Sequence, residues 1–157
     1  GDFAENAQEN AITGLQINLV NFGYLFTKNI GISASGFFAV NPLKTFGAFK
    51  PWQYGSIIVG PLISFPISEN IEWEIRPLIG YSLSRLPDRG DGYDPETDLS
   101  LAYDIGTGVR FYAANSGKKV SISLRADYFS TKPFFQNNNV EKKISAISFG
   151  IGIAYNF

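Results

Sequence analysis

The sequence predicts an all-β protein built as an antiparallel up-and-down β-barrel, and three observations carry this prediction. Large apolar residues alternate with small or polar residues from residue 14 onward, which is the period of a β-strand. Short turns and long polar segments alternate between these runs. Glycine and aromatic residues are abundant, at 16 glycines and 15% aromatics in 157 residues. The length fits one domain, so residues 1–157 are predicted to form a single barrel.

The last segment has the clearest alternation. Its odd-numbered positions are large and apolar: Ile147, Phe149, Ile151, Ile153, Tyr155 and Phe157. Its even-numbered positions are small or polar: Ala146, Ser148, Gly150, Gly152, Ala154 and Asn156. The same pattern predicts six further strands at 14–26, 30–40, 54–67, 71–84, 99–113 and 118–130. In the strand at 14–26 the alternating apolar residues are odd-numbered up to Leu19 and even-numbered from Phe22 onward, which predicts a β-bulge.

The connections fall into two classes by length. Residues 27–29, 68–70 and 114–117 are tight turns with hairpin chemistry, whereas 41–53, 85–98 and 132–142 are long and polar. Short turns at one end and long loops at the other are typical of outer-membrane barrels. Pro61 and Pro77 lie inside predicted strands, where each removes a ladder hydrogen bond, and we interpret them as further bulges.

The placement of charge indicates which face of the barrel meets lipid. Seven charged residues lie in the cores of the predicted strands, and all fall on the face of small residues: Glu72, Glu74, Arg76, Asp104, Arg110, Arg125 and Asp127. The apolar face carries no charge within these cores, and Lys143 lies at a strand end. A charge facing lipid near the membrane midplane would cost about 2–4 kcal/mol. A transmembrane barrel is therefore predicted, with the charged residues inside.

These charged side chains are predicted to form a salt-bridged network in the lumen. Strand pairing places Glu74 near Arg110, and it places Asp104 near Asp127 with Arg125 on the diagonal. A barrel with so few strands has room inside only for side chains, which favours a charge-compensated plug. An ion-conducting path is the alternative.

Aromatic residues on the apolar face are predicted to form two girdles. The girdle near the turns contains Phe65, Trp73, Phe111, Tyr155 and Phe157, and the girdle near the loops contains Phe38, Tyr81, Tyr103 and Tyr128. Trp73 and Tyr81 are eight residues apart. At about 3.3 Å per residue and a tilt of about 40°, this separation is roughly 20 Å. That is close to the ~25 Å apolar band of an outer-membrane barrel.

The chain ends in Ile-Ala-Tyr-Asn-Phe, with apolar residues alternating behind the terminal aromatic. This ending resembles the C-terminal signature of outer-membrane proteins, and the whole chain, including the hairpin at 23–32, resembles the small OmpA-like or opacity-type barrels. The resemblance implies a bacterial outer-membrane location, contact with lipid and lipopolysaccharide, and recognition of Tyr155 and Phe157 by the barrel assembly machinery. It also implies eight strands. Because seven are readable, we expect the first strand upstream of Gly1, with residues 1–12 in an external loop. Pairing of residues 3–12 is the alternative.

Composition excludes several functions. The chain has no cysteine and no histidine, so disulfides, thiolate chemistry and histidine-dependent catalysis are excluded. A net charge of −1 argues against nucleic-acid binding. The acidic residues of 85–98 lack the spacing of a calcium loop. We therefore expect no enzyme activity, no catalytic residues, no metal and no cofactor.

The sequence favours a structural or interaction role, in which a plugged outer-membrane barrel contacts envelope or external partners through its loops. Phe46, Phe49 and Trp52 in one loop, and Phe134 and Phe135 in another, are expected to be exposed. They would form either a binding surface or contacts among lipopolysaccharide headgroups. A small pore and a soluble lipocalin-like carrier of apolar ligands are the alternatives.

Overall fold

The computed structural model describes residues 13–43, 51–87, 96–113, 119–136 and 139–155. In these residues the chain forms β1 (Leu15–Leu25), β2 (Ile30–Asn41), β3 (Trp52–Ser68), β4 (Ile71–Arg85), β5 (Thr97–Tyr112), β6 (Val120–Thr131), β7 (Phe134–Phe135), β8 (Val140–Glu141) and β9 (Ile144–Tyr155). None of the described residues lies in a helix, and so no helix among them is long and apolar enough to cross a membrane. The predicted all-β class is confirmed.

The seven long strands form one antiparallel sheet in the order β1-β2-β3-β4-β5-β6-β9, which is nearly closed into a barrel. β7 and β8 pair with each other, inside the connection between β6 and β9. The predicted meander is confirmed, and the ends of its first six strands lie within two residues of the predicted ones. β7 and β8 were not predicted, because two-residue strands leave no periodic pattern.

β1 and β9 are the two edges of the sheet and do not pair with each other in the described part of the chain. Every strand of the sheet runs opposite to its neighbours, so the first and the seventh run in the same direction, from the loop end to the turn end. One strand placed between them would be antiparallel to both. Residues 1–12, predicted as an external loop, lie outside the described residues.

The ladder of the described strands is irregular at three places, one of which is a register shift of β3 against β4 between Pro66 and Ser68, next to the turn. The register of β1 against β2 shifts between Asn18 and Val20, which confirms the predicted bulge. The interpretation of Pro61 and Pro77 as bulges is wrong. The β3–β4 ladder is interrupted around them and resumes in unchanged register, so the two prolines lie across from each other in a single gap. Their missing N–H groups coincide there, and one break in pairing accommodates both.

Along each long strand, successive side chains point alternately into the barrel and away from it. All seven charged residues predicted to face the lumen do so. Asp98, which the prediction left in a loop, is an eighth inward charge, at the loop end of β5. On the outer face of the described long strands the only charged residue is Arg85, at the loop end of β4. The described long strands therefore confine charged side chains almost completely to the inside of the barrel.

The aromatic residues predicted to form the girdles lie on the outer face. The eight described ones are between 40% and 61% exposed: Phe38, Phe65, Trp73, Tyr81, Tyr103, Phe111, Tyr128 and Tyr155. Phe65 and Trp73 are cross-strand partners near the turn end, and their ring centroids lie 5.3 Å apart. Tyr81 lies nearer the loop end of the same sheet. Phe157 lies outside the described residues.

Candidate functional site

Two buried ion pairs join three neighbouring strands inside the turn-end half of the barrel. Arg110 of β5 reaches Glu74 of β4, with Nη2 2.6 Å from Oε1. Arg76 of β4 reaches Asp127 of β6 across β5, with Nη2 2.8 Å from Oδ1. The proximity of Glu74 and Arg110 expected from the sequence is present. Because each pair joins different strands, it positions them relative to each other as well as compensating charge.

Hydroxyl groups surround the neighbouring carboxylate of Glu72. Its Oε2 accepts hydrogen bonds from Ser64 Oγ at 3.2 Å and from Tyr112 OH at 2.9 Å. Ser64 belongs to β3 and Tyr112 to β5, so this carboxylate also links three strands. We call the following inward-facing residues the charged layer: Glu72, Glu74, Arg76, Arg110, Arg125 and Asp127.

The register of β5 against β6 differs from the predicted one by two residues. Asp127 lies opposite Gly106, and Phe129 lies opposite Asp104. Asp104 lies near Asp127, as predicted, but on the diagonal rather than directly opposite. The predicted diagonal relation of Asp104 to Arg125 is wrong, because Arg125 lies opposite Gly108. The observed register sets a charged side chain against glycine, where it has room to extend into the lumen.

The Arg76–Asp127 pair occupies the space that a side chain at residue 106 would need. A Cβ atom there would come closer than van der Waals contact to Asp127 Oδ1 and to Arg76 Nη2 and Nε. Gly108 faces Arg125, whose Cγ would lie 3.1 Å from an added Cβ. These two glycines of β5 give the arginine side chains space to cross that strand.

A cavity of about 10 Å³ lies beside the charged layer. Asp104 and Arg125 line it, together with polar side chains of β1, which are Gln16, Asn18 and Asn21. Neither Asp104 nor Arg125 takes part in an ion pair between described residues. A cavity of this size has room for about one water molecule. The space that these side chains leave beside the charged layer is therefore small.

The loop-end half of the interior is filled by apolar side chains. Phe37, Tyr54 and Phe129, from β2, β3 and β6, pack with ring centroids 5.1–6.3 Å apart. We call the following buried cluster the aromatic layer: Phe37, Ala39, Tyr54, Ile58, Leu78, Ala102 and Phe129. This layer was not predicted, because the inward-facing positions of the strands were expected to be small or polar. A signal was present, since Phe129 has the same parity in β6 as Arg125 and Asp127.

A second buried cluster closes the loop end of the interior. It contains Leu43, Trp52, Leu86 and Phe135, with Ile144 packed against it. Phe135 belongs to β7, so the connection between β6 and β9 folds over the mouth of the barrel. The expectation that Trp52 and Phe135 are exposed is wrong: they are 5% and 0% exposed. Both bury their rings in this mouth cluster.

Polar contacts hold the connection between β6 and β9 in place. Phe134 N donates a hydrogen bond to Asp98 Oδ2 at 2.9 Å, which ties β7 to the start of β5. Lys132 and Glu141 form an ion pair across the β7–β8 hairpin. The side chain of Phe134 is 43% exposed, as expected. Residues 44–50, which include the other aromatics of the predicted binding surface, lie outside the described residues.

Comparison with known proteins adds no assignment to this geometry. No family model, curated protein or solved structure matches the chain. Among the described residues there is also no group of three or more side chains that could hold a metal ion. The distribution of charge, aromatic residues and volume over the sheet is therefore the guide to function.

Proposed function

We propose that this chain is a bacterial outer-membrane β-barrel with a plugged lumen, and that it has a structural or interaction role through its long loops. The observation that carries the proposal is the confinement of charge to the inside of the sheet. In the described long strands eight charged residues face inward, while the outer face carries Arg85 alone. A barrel that folds in water has the opposite distribution, with apolar residues inside and charged residues outside.

The outer face has the chemistry of a lipid contact. Its exposed side chains are large and apolar from the turn end to the loop end, as at Phe65, Ile105 and Leu99. Soluble monomers rarely expose a contiguous apolar patch of more than a few hundred Å². Aromatic residues near both ends of this surface fit the girdles of membrane barrels. A soluble lipocalin-like carrier would leave the whole surface in water, which makes it the weaker alternative.

The interior favours a plug over a pore. The charged layer occupies the turn-end half, and the aromatic layer and the mouth cluster occupy much of the loop-end half. The cavity beside the charged layer, at about 10 Å³, has room for about one water molecule. A barrel of this strand number has a lumen only wide enough for side chains. We expect no steady conductance in planar bilayers at low voltage, and steady open channels would favour the pore instead.

The proposal includes an eighth strand between β1 and β9. The two edges run in the same direction, so one further strand would pair antiparallel with both and leave no free edge. Residues 3–12 and a segment preceding Gly1 are the candidates. The mass of the native protein distinguishes them, because a mass above the 17.3 kDa of this chain supports a preceding segment and an equal mass supports residues 3–12.

In this setting the outer face contacts outer-membrane lipid and lipopolysaccharide, and β9 carries the assembly signal. Tyr155 is an outward-facing, exposed residue at the turn end of β9. There it is accessible to the barrel assembly machinery during biogenesis. The loops at the opposite end are left to contact envelope or external protein partners.

Arginine substitutions at two depths of the outer face test the membrane placement. Ile105 lies near the middle of β5 and is 62% exposed, and Leu99 lies on the same face near the loop end and is 64% exposed. In lipid, Ile105→Arg should lower the free energy of unfolding by about 2–4 kcal/mol and Leu99→Arg by about 0–1 kcal/mol. In water, both should change it by less than about 0.5 kcal/mol.

The measurement is urea unfolding of the full chain in phospholipid vesicles, with heat-modifiable migration on SDS gels as the readout of folding. Small and equal effects of Ile105→Arg and Leu99→Arg would contradict placement in lipid. Fractionation of the producing cells supplies an independent check. Recovery with outer membranes supports the proposed location, and recovery in the soluble fraction without detergent counts against it.

A further inference from the structure

The edges of β1 and β9 leave an open seam in the wall of the barrel, because they do not pair with each other in the described part of the chain. The outward side chains of β9 lack cover on the side of this seam. Phe149 and Ile153 are 83% and 81% exposed, whereas Ile122 and Leu124, on the same face of β6, are both 49% exposed. Both edges run from the loop end to the turn end, so a strand antiparallel to both must run from the turn end to the loop end.

A cavity of about 120 Å³ lies along the edge of β9 at the loop end of the seam. Ile144 and Ala146, which face inward, line it together with Ser145, which faces outward. Successive residues of a strand point to opposite faces, so a cavity that touches all three lies at the edge of the strand. Its other wall includes Tyr54, inside the barrel. The loop-end part of the seam therefore holds space that reaches the interior.

The inner face of β9 leaves space in the middle of the seam as well. Its inward residues are small along the whole strand: Ala146, Ser148, Gly150, Gly152 and Ala154. A Cβ atom added at Gly150 would meet no atom of the described residues within 4 Å. The inward side chains of β1 are amides over most of its length: Gln16, Asn18 and Asn21. A strand in the seam would fill this space if its inward side chains were large and polar.

Residues 3–12 do not have the composition of this strand. Read with period two, one of their faces would carry Glu5 and Glu9. The other face would carry Asn6, Gln8 and Asn10. Either parity sets carboxylates or amides toward lipid, where a membrane barrel carries apolar side chains.

A second copy of the chain does not fit the seam either. Two copies with the same orientation in the membrane would bring β1 of one beside β9 of the other. These two edges run in the same direction, so they would pair in parallel. Strands of membrane barrels pair antiparallel.

We propose that the seam binds one extended strand, supplied by the polypeptide that precedes Gly1, with apolar side chains outward and large polar side chains inward. The choice of this source over residues 3–12 rests on the proposed membrane placement, which requires the apolar outward face. The course of the chain supports the same source. The connections at the loop end span residues 42–51, 86–96 and 132–143, and residues 1–14 before β1 are a segment of similar length. A strand joined to β1 by such a connection ends at the loop end, which is the direction that the seam requires.

Synthetic strands added to the chain of 157 residues in detergent micelles test the seam. The probe is a peptide of about ten residues in which leucine and glutamine alternate. The control peptide has the same composition but carries its leucines in one block and its glutamines in another. The alternating peptide should slow amide hydrogen exchange roughly tenfold or more at alternate residues of β1 and β9, because it pairs with both edges. The control peptide should leave that exchange unchanged.

Substitution of Gly150 tests the size of the inward side chains. Gly150→Phe fills the space beside β9, so it should weaken binding of the leucine–glutamine peptide roughly tenfold. A leucine–alanine peptide should lose less affinity, because its small inward residues leave room for the ring. Leu124→Phe is the matched control, because it adds volume on the outer face of β6, away from the seam. It should leave both affinities unchanged, and heat-modifiable migration verifies that each variant is folded.

Proline substitutions and the native N-terminus test the source of the strand. Ala7→Pro should leave urea unfolding of this chain unchanged, because residues 3–12 are not expected to pair in the seam. Ala34→Pro is the positive control and should lower stability, since β2 pairs on both sides there. N-terminal sequencing of the native protein should show residues before Gly1 with the alternation described for the seam strand.

Four results would overturn the proposal. Equal protection by the two peptides, or none by either, would show that the seam does not select an alternating strand. A loss of stability in Ala7→Pro would assign the seam to residues 3–12. Protection of both edges that rises with the concentration of the chain alone would assign it to a second copy. A native protein that begins at Gly1 would remove the proposed source. Peptide binding in micelles is measured separately from the arginine substitutions in vesicles, so the seam and the membrane placement can fail independently.

Discussion

The two halves of the barrel interior are filled by different chemistry. In the charged layer, ion pairs such as Glu74–Arg110 join specific atoms of different strands, and glycine at residue 106 makes room for the Arg76–Asp127 pair. In the aromatic layer, rings from three strands pack against one another without directed bonds. The charged layer should therefore be sensitive to loss of a partner, and the aromatic layer to loss of volume.

The change between the two kinds of filling occurs at Asp104. This residue lies opposite Leu78 of β4 and opposite Phe129 of β6, and both of these belong to the aromatic layer. Two residues further along β5, Gly106 already faces Asp127 of the charged layer. The two layers therefore meet between Asp104 and Gly106, which are successive inward-facing residues of β5. Substitutions on either side of this step test whether the layers respond differently.

Arg110→Leu should have the largest effect on stability. It leaves Glu74, whose side chain is 2% exposed, without its ion-pair partner. Breaking a buried pair from one side costs about 3–5 kcal/mol of the free energy of unfolding. The double variant Glu74→Leu/Arg110→Leu removes both charges and should recover most of that loss. Urea unfolding of the three proteins makes the comparison. A double variant as unstable as Arg110→Leu would show that the layer does not depend on this pairing.

Phe129→Ala should cost a similar amount, about 3–5 kcal/mol, for a different reason. The substitution removes the ring that contacts both Phe37 and Tyr54, and it leaves a cavity in the aromatic layer. Phe129→Leu keeps most of the volume and should cost less than about 1.5 kcal/mol. The same urea titration measures both variants. If Phe129→Leu lowered the free energy of unfolding as much as Phe129→Ala, the stability of the aromatic layer would depend on the geometry of the rings rather than on their volume.

The charged layer was largely predictable from the sequence, and the reason is local. Which face a strand residue occupies follows from parity alone, so the inward orientation of Glu74 and Arg110 required no tertiary information. The partners of Asp104 were not predictable in the same way. A turn displaced by one residue changes every cross-strand partner by two, and the alternation of β5 and β6 fits either register. Asp98 was missed because the predicted loop extended past the first residues of β5.

The aromatic layer and the mouth cluster depend on tertiary structure. Phe37, Tyr54 and Phe129 come from three strands, and the curvature of the sheet brings their rings together. Trp52 and Phe135 occupy segments that look like polar loops, and they are buried because the connection between β6 and β9 folds over the mouth. The periodicity of single strands predicts neither the packing of these three rings nor the burial of Trp52 and Phe135. The strands themselves were predictable because period two is a local property.

Substitution of two glycines sharpens the contrast between packed and open positions beside the charged layer. At Gly106 an added Cβ would displace the Arg76–Asp127 pair, so Gly106→Ala should cost about 1–3 kcal/mol. Gly150 of β9 also faces a charged residue, Arg125, but an added Cβ there would meet no atom within 4 Å. Gly150→Ala should leave stability unchanged or raise it by about 0.5–1 kcal/mol. Equal losses at the two sites in urea unfolding would contradict the role of Gly106.

Lys132→Gln should have the smallest effect, about 0–1 kcal/mol, because its pair with Glu141 is exposed. This pair lies in the connection over the mouth, at the end of the barrel opposite the charged layer. Added salt distinguishes the two kinds of ion pair. It should erase the effect of Lys132→Gln, since mobile ions screen exposed charges, and it should leave most of the effect of Arg110→Leu, since that pair is buried. The measurement is urea unfolding at low and at high ionic strength. If salt reduced the loss of stability equally in both variants, the interior would be accessible to ions. The description of the charged layer as a plug would then fail.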